Sequence, residues 1–306
     1  MKRALIIVGP TAVGKTDLAF SLSRAFPSVL ISADSIQVYL GADIISGKDR
    51  SVETFFLDIV LPHKSFSVRE FIEKVRPLIE KAKKENKIPI IVGGTGFYID
   101  ALFGKIDTIS IPPNKALREK LEKLNVRKLQ EKLKKLSLSR FYRMNNSDVN
   151  NKRRLVRAIE IAITRGPIPV RVRPLFKKKE VLIIGLKSSV DHLRSRIETR
   201  VEERIKKGAI YEAKRLFKDY EALSNQVKAA NGYKQLFEYL KGKLTYDVAK
   251  EAWINSEVKT AKNQMTWFKR NKNIVWFDPV RSSSKRILYR EILSLIQDFL
   301  GTSNGV

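Results

Sequence analysis

Ala4-Leu5-Ile6-Ile7-Val8-Gly9-Pro10-Thr11-Ala12-Val13-Gly14-Lys15-Thr16 stands near the amino end, and Asp17, Leu18, Ala19 and Leu22 follow at helical spacing. The apolar run 4–8 predicts a strand buried on both faces, as strands of a parallel sheet are. Residues 9–16 then match the pattern GxxxxGK[ST] in both spacing and setting, between a strand and a helix. In such a loop Gly9 and Gly14 let the backbone curl, so that the N–H groups of Thr11, Ala12 and Val13 turn toward phosphate oxygens. The helix N-terminus adds a partial positive charge, Lys15 a full one, and Thr16 can hold a magnesium ion. The pattern specifies a di- or triphosphate, and a pyrophosphate leaving group fits it as well as a nucleotide does.

Short apolar runs recur outward from this stretch, at residues 29–31, 57–60, 88–92, 181–186 and 274–277. Each is continuous rather than alternating, so each reads as a strand of the same buried sheet. Helical stretches lie between several of them. Ser67-Val68-Arg69-Glu70 has the form of a capping box. From Asp191 onward, Leu193, Ile197, Val201 and Ile205 recur every fourth residue until Lys206-Lys207-Gly208 ends the helix. The expected architecture is α/β, a P-loop NTPase-like doubly wound parallel sheet.

Charge locates an interruption in that sheet. The 306 residues carry 60 Lys and Arg against 32 Asp and Glu, a net of +28. Residues 114–177 hold 19 of the basic residues and five of the acidic ones, a net of +14. Leu117, Leu121, Leu124, Leu129, Leu133 and Leu136 mark one apolar stripe there, and Gly166-Pro167-Ile168-Pro169 must stop a helix. The expectation is a basic α-helical insertion at 114–177 within a core made of 1–113 and 178–306. An excess of this size favours a polyanion, whose neutralised phosphates release condensed counterions. A surface built for ion-pair networks would carry nearly as many acids as bases.

Other compositions exclude other chemistry. No cysteine is present, and His63 and His192 are the only histidines, so thiol nucleophiles and thiolate or histidine metal cages are ruled out. No apolar run approaches the roughly 20 residues of a membrane span, and Met1-Lys2-Arg3 leads straight into the first strand rather than into a signal-peptide core. A cytoplasmic protein is expected.

Three further motifs carry polar groups to strand ends. In Ile31-Ser32-Ala33-Asp34-Ser35-Ile36-Gln37-Val38-Tyr39, Asp34 sits past the second strand, where it can bind magnesium, act as a general base, or cap the following turn. Val92-Gly93-Gly94-Thr95-Gly96-Phe97-Tyr98 places a threonine among three glycines at another strand tip. Within the insertion, Arg153, Arg154 and Arg157 share one helical flank suited to phosphate or base contacts, or to water alone.

Together these blocks resemble the tRNA dimethylallyltransferases, also called tRNA isopentenyltransferases. The matching stretches are GPTAVGKT (9–16), ISADSIQVY (31–39), DIVLP (58–62), FSVREF (66–71), PIIVGGTGFYI (89–99), RRLVRAIEI (153–161), GYKQ (232–235), YLKGKLTYD (239–247) and AKNQMTWFKR (261–270). The resemblance implies transfer of a dimethylallyl group from dimethylallyl diphosphate to the exocyclic amine of the adenine 3′ of the anticodon, in tRNAs reading codons that begin with U. It implies that the loop holds diphosphate through Gly9, Thr11, Ala12, Val13, Gly14, Lys15 and Thr16, with Mg2+ on Thr16. Asp34 would accept from the adenine amine, Thr95 would lie near the reacting centre, and Arg200 would face the diphosphate. Asp34, Ser35, Ile36, Gln37, Arg153, Arg154, Arg157, Gly232, Tyr233 and Lys234 match positions that contact tRNA. The chain departs from the family pattern at Asn231, where an aliphatic residue is usual, and at Val258 and Asn263, where arginines are customary. A P-loop kinase of a small metabolite, or an RNA-binding NTPase, would account for the loop but not for the whole set. A monomer is expected.

Overall fold

The computed structural model describes residues 3–106, 108–109, 111–164, 173–282 and 284–301. In chain order the elements are β1 (Ala4–Val8), α1 (Lys15–Ala25), β2 (Ser28–Ser32), α2 (Val68–Lys84), β3 (Ile88–Val92) and α3 (Gly96–Leu102). Next come α4 (Lys115–Glu122), α5 (Val126–Leu136), α6 (Leu138–Arg143), α7 (Asn146–Val149) and α8 (Lys152–Ile163). The chain then continues through β4 (Val181–Leu186), α9 (Val190–Lys206), α10 (Ala209–Phe217), α11 (Asn225–Ala229), α12 (Tyr233–Leu240), α13 (Tyr246–Phe268), β5 (Ile274–Phe277) and α14 (Lys285–Leu300). Two compact units result: Met1–Phe103 with Phe176–Val306, and Gly104–Leu175. Among the described residues no helix is long and apolar enough to cross a membrane.

The first unit is a mixed α/β body around one parallel sheet of order β2-β3-β1-β4-β5. Every residue of β1 and β4 is buried, which is why both read as unbroken apolar runs. After β1 the chain builds β2 and β3 on one side, then crosses to β4 and β5 on the other. The carboxyl end of β1 is therefore the switch point, where open α/β sheets form their ligand crevice. The capping box at Ser67 is present: Ser67 Oγ accepts from the Glu70 N–H, and Glu70 Oε2 accepts from the Ser67 N–H at 2.8 Å.

One expected strand is absent. Residues 57–60 make only an isolated bridge, between Tyr39 and Val60. Asp58 has φ +57, a left-handed conformation that cannot continue a strand. Its carboxylate reaches Lys48 at 2.6 Å and Arg50 at 2.5 Å, and those two ion pairs draw the chain into a turn.

The second unit is helical, and each of its helices begins on a capping side chain. Asn114, Asn125, Ser137, Asn145 and Asn151 accept from the N–H groups of Leu117, Lys128, Arg140, Asp148 and Arg154, satisfying donors that a helix start leaves open. Leu121, Leu129, Leu133, Leu155, Val156, Ala158 and Ile159 form its core, with Leu117 and Leu124 packed at the margin. Leu136, expected in the stripe, is instead 39% exposed.

The unit begins at Gly104 rather than at 114, for a visible reason. Arg157 Nη2 donates to the carbonyls of Thr108 and Ile111 at 2.9 and 2.8 Å. Glu160, 2% exposed, accepts from the Asn114 N–H and pairs with Arg118 at 2.7 Å. Burial alone would push that carboxyl up; Arg118, the Asn114 N–H and Arg157 hold it below the usual range. The segment before α4 is thus tied to α8. The expected stop at 166–169 lies outside the described residues, and α8 already ends at Ile163.

Candidate active site

A cavity of about 710 Å³ opens at the carboxyl ends of β1, β2 and β3. Its walls are the loop after β1, the turn after β2, the loop after β3, and one face each of α9 and α13. Gly9 has φ +145, and a Cβ there would sit 2.3 Å from the Leu186 carbonyl oxygen. Only glycine lets the loop leave β1 so close to β4. Ala12 (φ +63) and Gly14 (φ +100) complete the curl, Val13 is buried beneath it, and α1 starts at Lys15.

Lys15 Nζ folds back onto the Pro10 carbonyl at 2.6 Å. Burial pushes its pKa down to about 7; Arg200 pushes the same way and Asp34 opposes. Arg200 Nη1 lies 3.4 Å from Thr11 Oγ1. Burial, then the charge of Arg204, hold Arg200 down to about 10. Two cations disfavoured by burial and by each other are both stabilised when an anion joins them. Thr16 lies exposed on the first turn of α1 and lines the same wall.

The same cavity also holds a carboxylate, Asp34. Asp34 Oδ1 accepts from the Ile36 and Gln37 N–H groups at 2.8 and 3.3 Å, so the turn-capping role is real. It engages one oxygen and leaves the carboxylate on the cavity wall. Thr95 Oγ1 accepts from the Ser35 N–H at 3.2 Å, and the Ala33 N–H donates to the Val92 carbonyl at 2.7 Å. The two strand-end loops are stitched together, with Asp34, Ser35, Ile36 and Thr95 lining one surface.

Of the residues expected to meet RNA, Gln37 lines the cavity, and several have polar atoms engaged within the protein. Gln37 accepts from Ser32 Oγ at 2.8 Å and donates to the Gly47 carbonyl at 3.2 Å, so its amide orders the 43–48 loop. Tyr233 is fully buried, its hydroxyl donating to Glu212 at 2.5 Å. Glu212 in turn accepts the N–H groups of Asp43, Ile44 and Ile45. Gly232 is buried against Ile45 and Trp253, while Lys234 is exposed. In the helical unit Arg153 and Arg154 are exposed, Arg154 pairing with Asp148; Arg157 is locked to the backbone as described.

Besides Gln264 of the matching block 261–270, other residues reach the cavity that the motifs did not single out. On α13, Trp253, Glu257, Thr260, Gln264 and Trp267 fall at spacings of three or four, one helical face, and all but Trp253 line the cavity. Gln264 Oε1 accepts from the Thr11 N–H at 2.8 Å and its Nε2 donates to the Gly94 carbonyl at 3.1 Å, joining the loops after β1 and β3. Asn231 bridges Thr260 and Ser256 at 2.9 and 2.7 Å, so its polarity docks the α11–α12 connection onto α13. Val258 is buried and Asn263 faces the cavity. The spacing on α13 was the available signal, but long helices carry such stripes for packing alone.

Two cations beside a glycine-rich loop, with a carboxylate and a hydroxyl in the same cavity, suit a group-transfer enzyme that releases a phosphorylated leaving group. Comparison with known proteins identifies the group: the chain belongs to the IPP transferase family, the tRNA dimethylallyltransferases, which are prenyltransferases. The IPP transferase family model matches residues 37–271, and that of isopentenyl transferase residues 2–56. The tRNA dimethylallyltransferase of Anoxybacillus flavithermus is 36% identical over 97% of this chain and 96% of its own. That of Clostridioides difficile is 35% identical over 96% and 97%. Among solved structures, the tRNA isopentenylpyrophosphate transferase of Bacillus halodurans has a TM-score of 0.72 at 32% identity, covering 98% of this chain and 97% of that one. A eukaryotic dimethylallyltransferase acting on tRNA shares the fold, with a TM-score of 0.80 at 23% identity over 99% and 81%.

Proposed function

We propose that this chain transfers a dimethylallyl group from dimethylallyl diphosphate to the exocyclic amine of the adenine 3′ of the anticodon, in tRNAs reading codons that begin with U. The core is then a P-loop NTPase-like doubly wound sheet put to use for a diphosphate, and Gly104–Leu175 is an inserted domain that grips the anticodon stem-loop through phosphates. The protein works as a monomer in the cytoplasm. The observation that carries the reading is the meeting of Lys15 and Arg200 with Asp34 and Thr95 around one cavity, in a chain of this family.

The backbone of residues 9–14, Lys15 and Arg200 hold the diphosphate. The adenine, stacked in its loop, must be flipped out to reach the cavity. Its amine nitrogen bonds to the allylic carbon as the carbon–oxygen bond breaks, and the bonding pair leaves on the diphosphate. Donors already aimed there stabilise the charge as it develops. Asp34 takes the proton released by the amine, and Thr95, held by the Ser35 N–H, keeps the strand-end surface in register.

Thr16 with the carboxylate of its neighbour Asp17 supplies hard oxygen donors on the cavity wall. That set fits magnesium, which takes few protein oxygens together with phosphate and water. Bound there, the ion would neutralise charge on the diphosphate.

The test is to incubate the protein with dimethylallyl diphosphate, magnesium and unmodified tRNA bearing that adenine. A mass gain of one dimethylallyl group on the nucleoside is expected. No gain, with turnover of ATP instead, would mean an NTPase.

A further inference from the structure

Along the buried face of α9, Leu193, Ile197 and Val201 are succeeded by a cation, Arg204, only 8% exposed. Its Nη1 donates to Glu257 Oε1 at 2.6 Å, and Trp253 Nε1 donates to the same oxygen at 2.9 Å. Glu257 is 5% exposed, and its Oε2 is buried with no hydrogen-bond partner. An ion pair kept for structure alone gains most from two-pronged geometry, because every charged atom taken from water must be satisfied. This pair is one-sided, and both members line the cavity.

Gly47 shows where the rest of the guanidinium lies. A methyl built on it would sit 2.4 Å from Arg204 Nη2 and 3.2 Å from Arg200 Nη2. The two nitrogens are thus no farther apart than those distances summed. Arg200 already touches the phosphate loop at Thr11. Adjacent guanidiniums in a buried wall repel, and the repulsion is relieved by an anion that both can reach.

We propose that Arg204 is a second guanidinium of the diphosphate site, with Glu257 and Trp253 as the positioning residues that hold it beside Arg200. Glu257 has a second effect, since its charge offsets that of Arg204 and keeps the site from gripping the leaving diphosphate too tightly. The inference rests on the transferase reading above.

The experiment measures the Kd of inorganic pyrophosphate, with magnesium, for three full-length proteins by titration calorimetry. They are the wild type, Glu257→Gln, and the double variant Arg204→Met/Glu257→Leu. The double variant replaces a buried pair by apolar side chains of similar volume, a change that commonly preserves stability. It should melt near the wild-type temperature and bind pyrophosphate about ten-fold more weakly, the loss of one charge-assisted hydrogen bond. Glu257→Gln keeps the arginine and removes the opposing charge, so pyrophosphate should bind more tightly and stabilise that variant against heat more than it does the wild type. Equal affinity in the wild type and the double variant overturns the inference, as does a loss in Glu257→Gln matching that of the double variant. A wild type that does not bind pyrophosphate would instead sink the transferase reading itself.

Discussion

Removing the Gln264 amide should uncouple the loop after β1 from the loop after β3, which hold the two reactants in the proposed reaction. Gln264 takes the Thr11 N–H on one side and gives to the Gly94 carbonyl on the other. It thereby fixes the anion loop against the loop that carries Thr95. Each hydrogen bond is worth about 1 kcal/mol net, so Gln264→Ala forfeits about 2 kcal/mol. Water in the cavity can reach both orphaned groups, which keeps the figure at the low end. If the cost falls on the transition state, where loop spacing sets the distance between amine and allylic carbon, kcat/KM drops about 30-fold. Gln264→Glu should do no better. It keeps an acceptor for Thr11, but turns a carboxylate toward the Gly94 carbonyl and adds negative charge beside the diphosphate. The assay is steady-state modification of tRNA with dimethylallyl diphosphate varied, run alongside a thermal melt. A kcat/KM for Gln264→Ala within about three-fold of wild type, or a Gln264→Glu enzyme more active than Gln264→Ala, would refute the cross-link.

Three other outcomes follow from the same geometry. Asp34→Asn retains an oxygen for the Ile36 and Gln37 N–H groups but cannot take a proton; kcat should fall by about 100-fold with tRNA affinity and melting temperature unchanged, and a parallel loss of tRNA binding would make Asp34 a contact rather than the base. Lys15, with a pKa of about 7 in the free protein, is raised by a bound anion, so pyrophosphate binding takes up a proton above pH 7 and weakens as pH rises from there. Calorimetry at pH 8 in buffers of different ionisation enthalpy should detect that uptake in the wild type and less of it in Lys15→Gln; equal uptake in both would remove Lys15 as its source. Arg153→Ala and Arg154→Ala should each weaken tRNA binding and lower its salt slope by about one, whereas Arg157→Ala should chiefly lower the melting temperature of the helical unit. A melting temperature unchanged in Arg157→Ala would return that arginine to the RNA-facing set.

Much of the fold was legible because its signals are local. The buried runs of β1, β3 and β4, the curl from Gly9 to Gly14, the Ser67 box and the Lys207-Gly208 stop each depend on neighbours within a few residues. Residues 57–60 misled because an apolar run says nothing about ion pairs made by the aspartate inside it. Asp34 and Thr95 were legible as strand-end residues, since a strand tip in this kind of sheet points at the crevice. Gln37, Tyr233 and Arg157 were harder. Their polar atoms are engaged by Gly47, Glu212 and Thr108, and no spacing in the sequence announces those partners.

By itself, then, the sequence determined the buried strands, the anion loop and the basic helical stretch, because strand burial, loop curvature and charge density are written over short windows. Family membership was readable from the same windows taken in order. Only the tertiary structure decided which side chains surround the loop after β1. Gln264 meets Thr11 from 253 residues away, and Arg200 does so from 189. Arg204 was a charge on an apolar stripe until Glu257 and Gly47 gave it a direction. Chain folding brings α9 and α13 over the loop after β1, and a residue's chemistry in a cavity is set by what lies across from it.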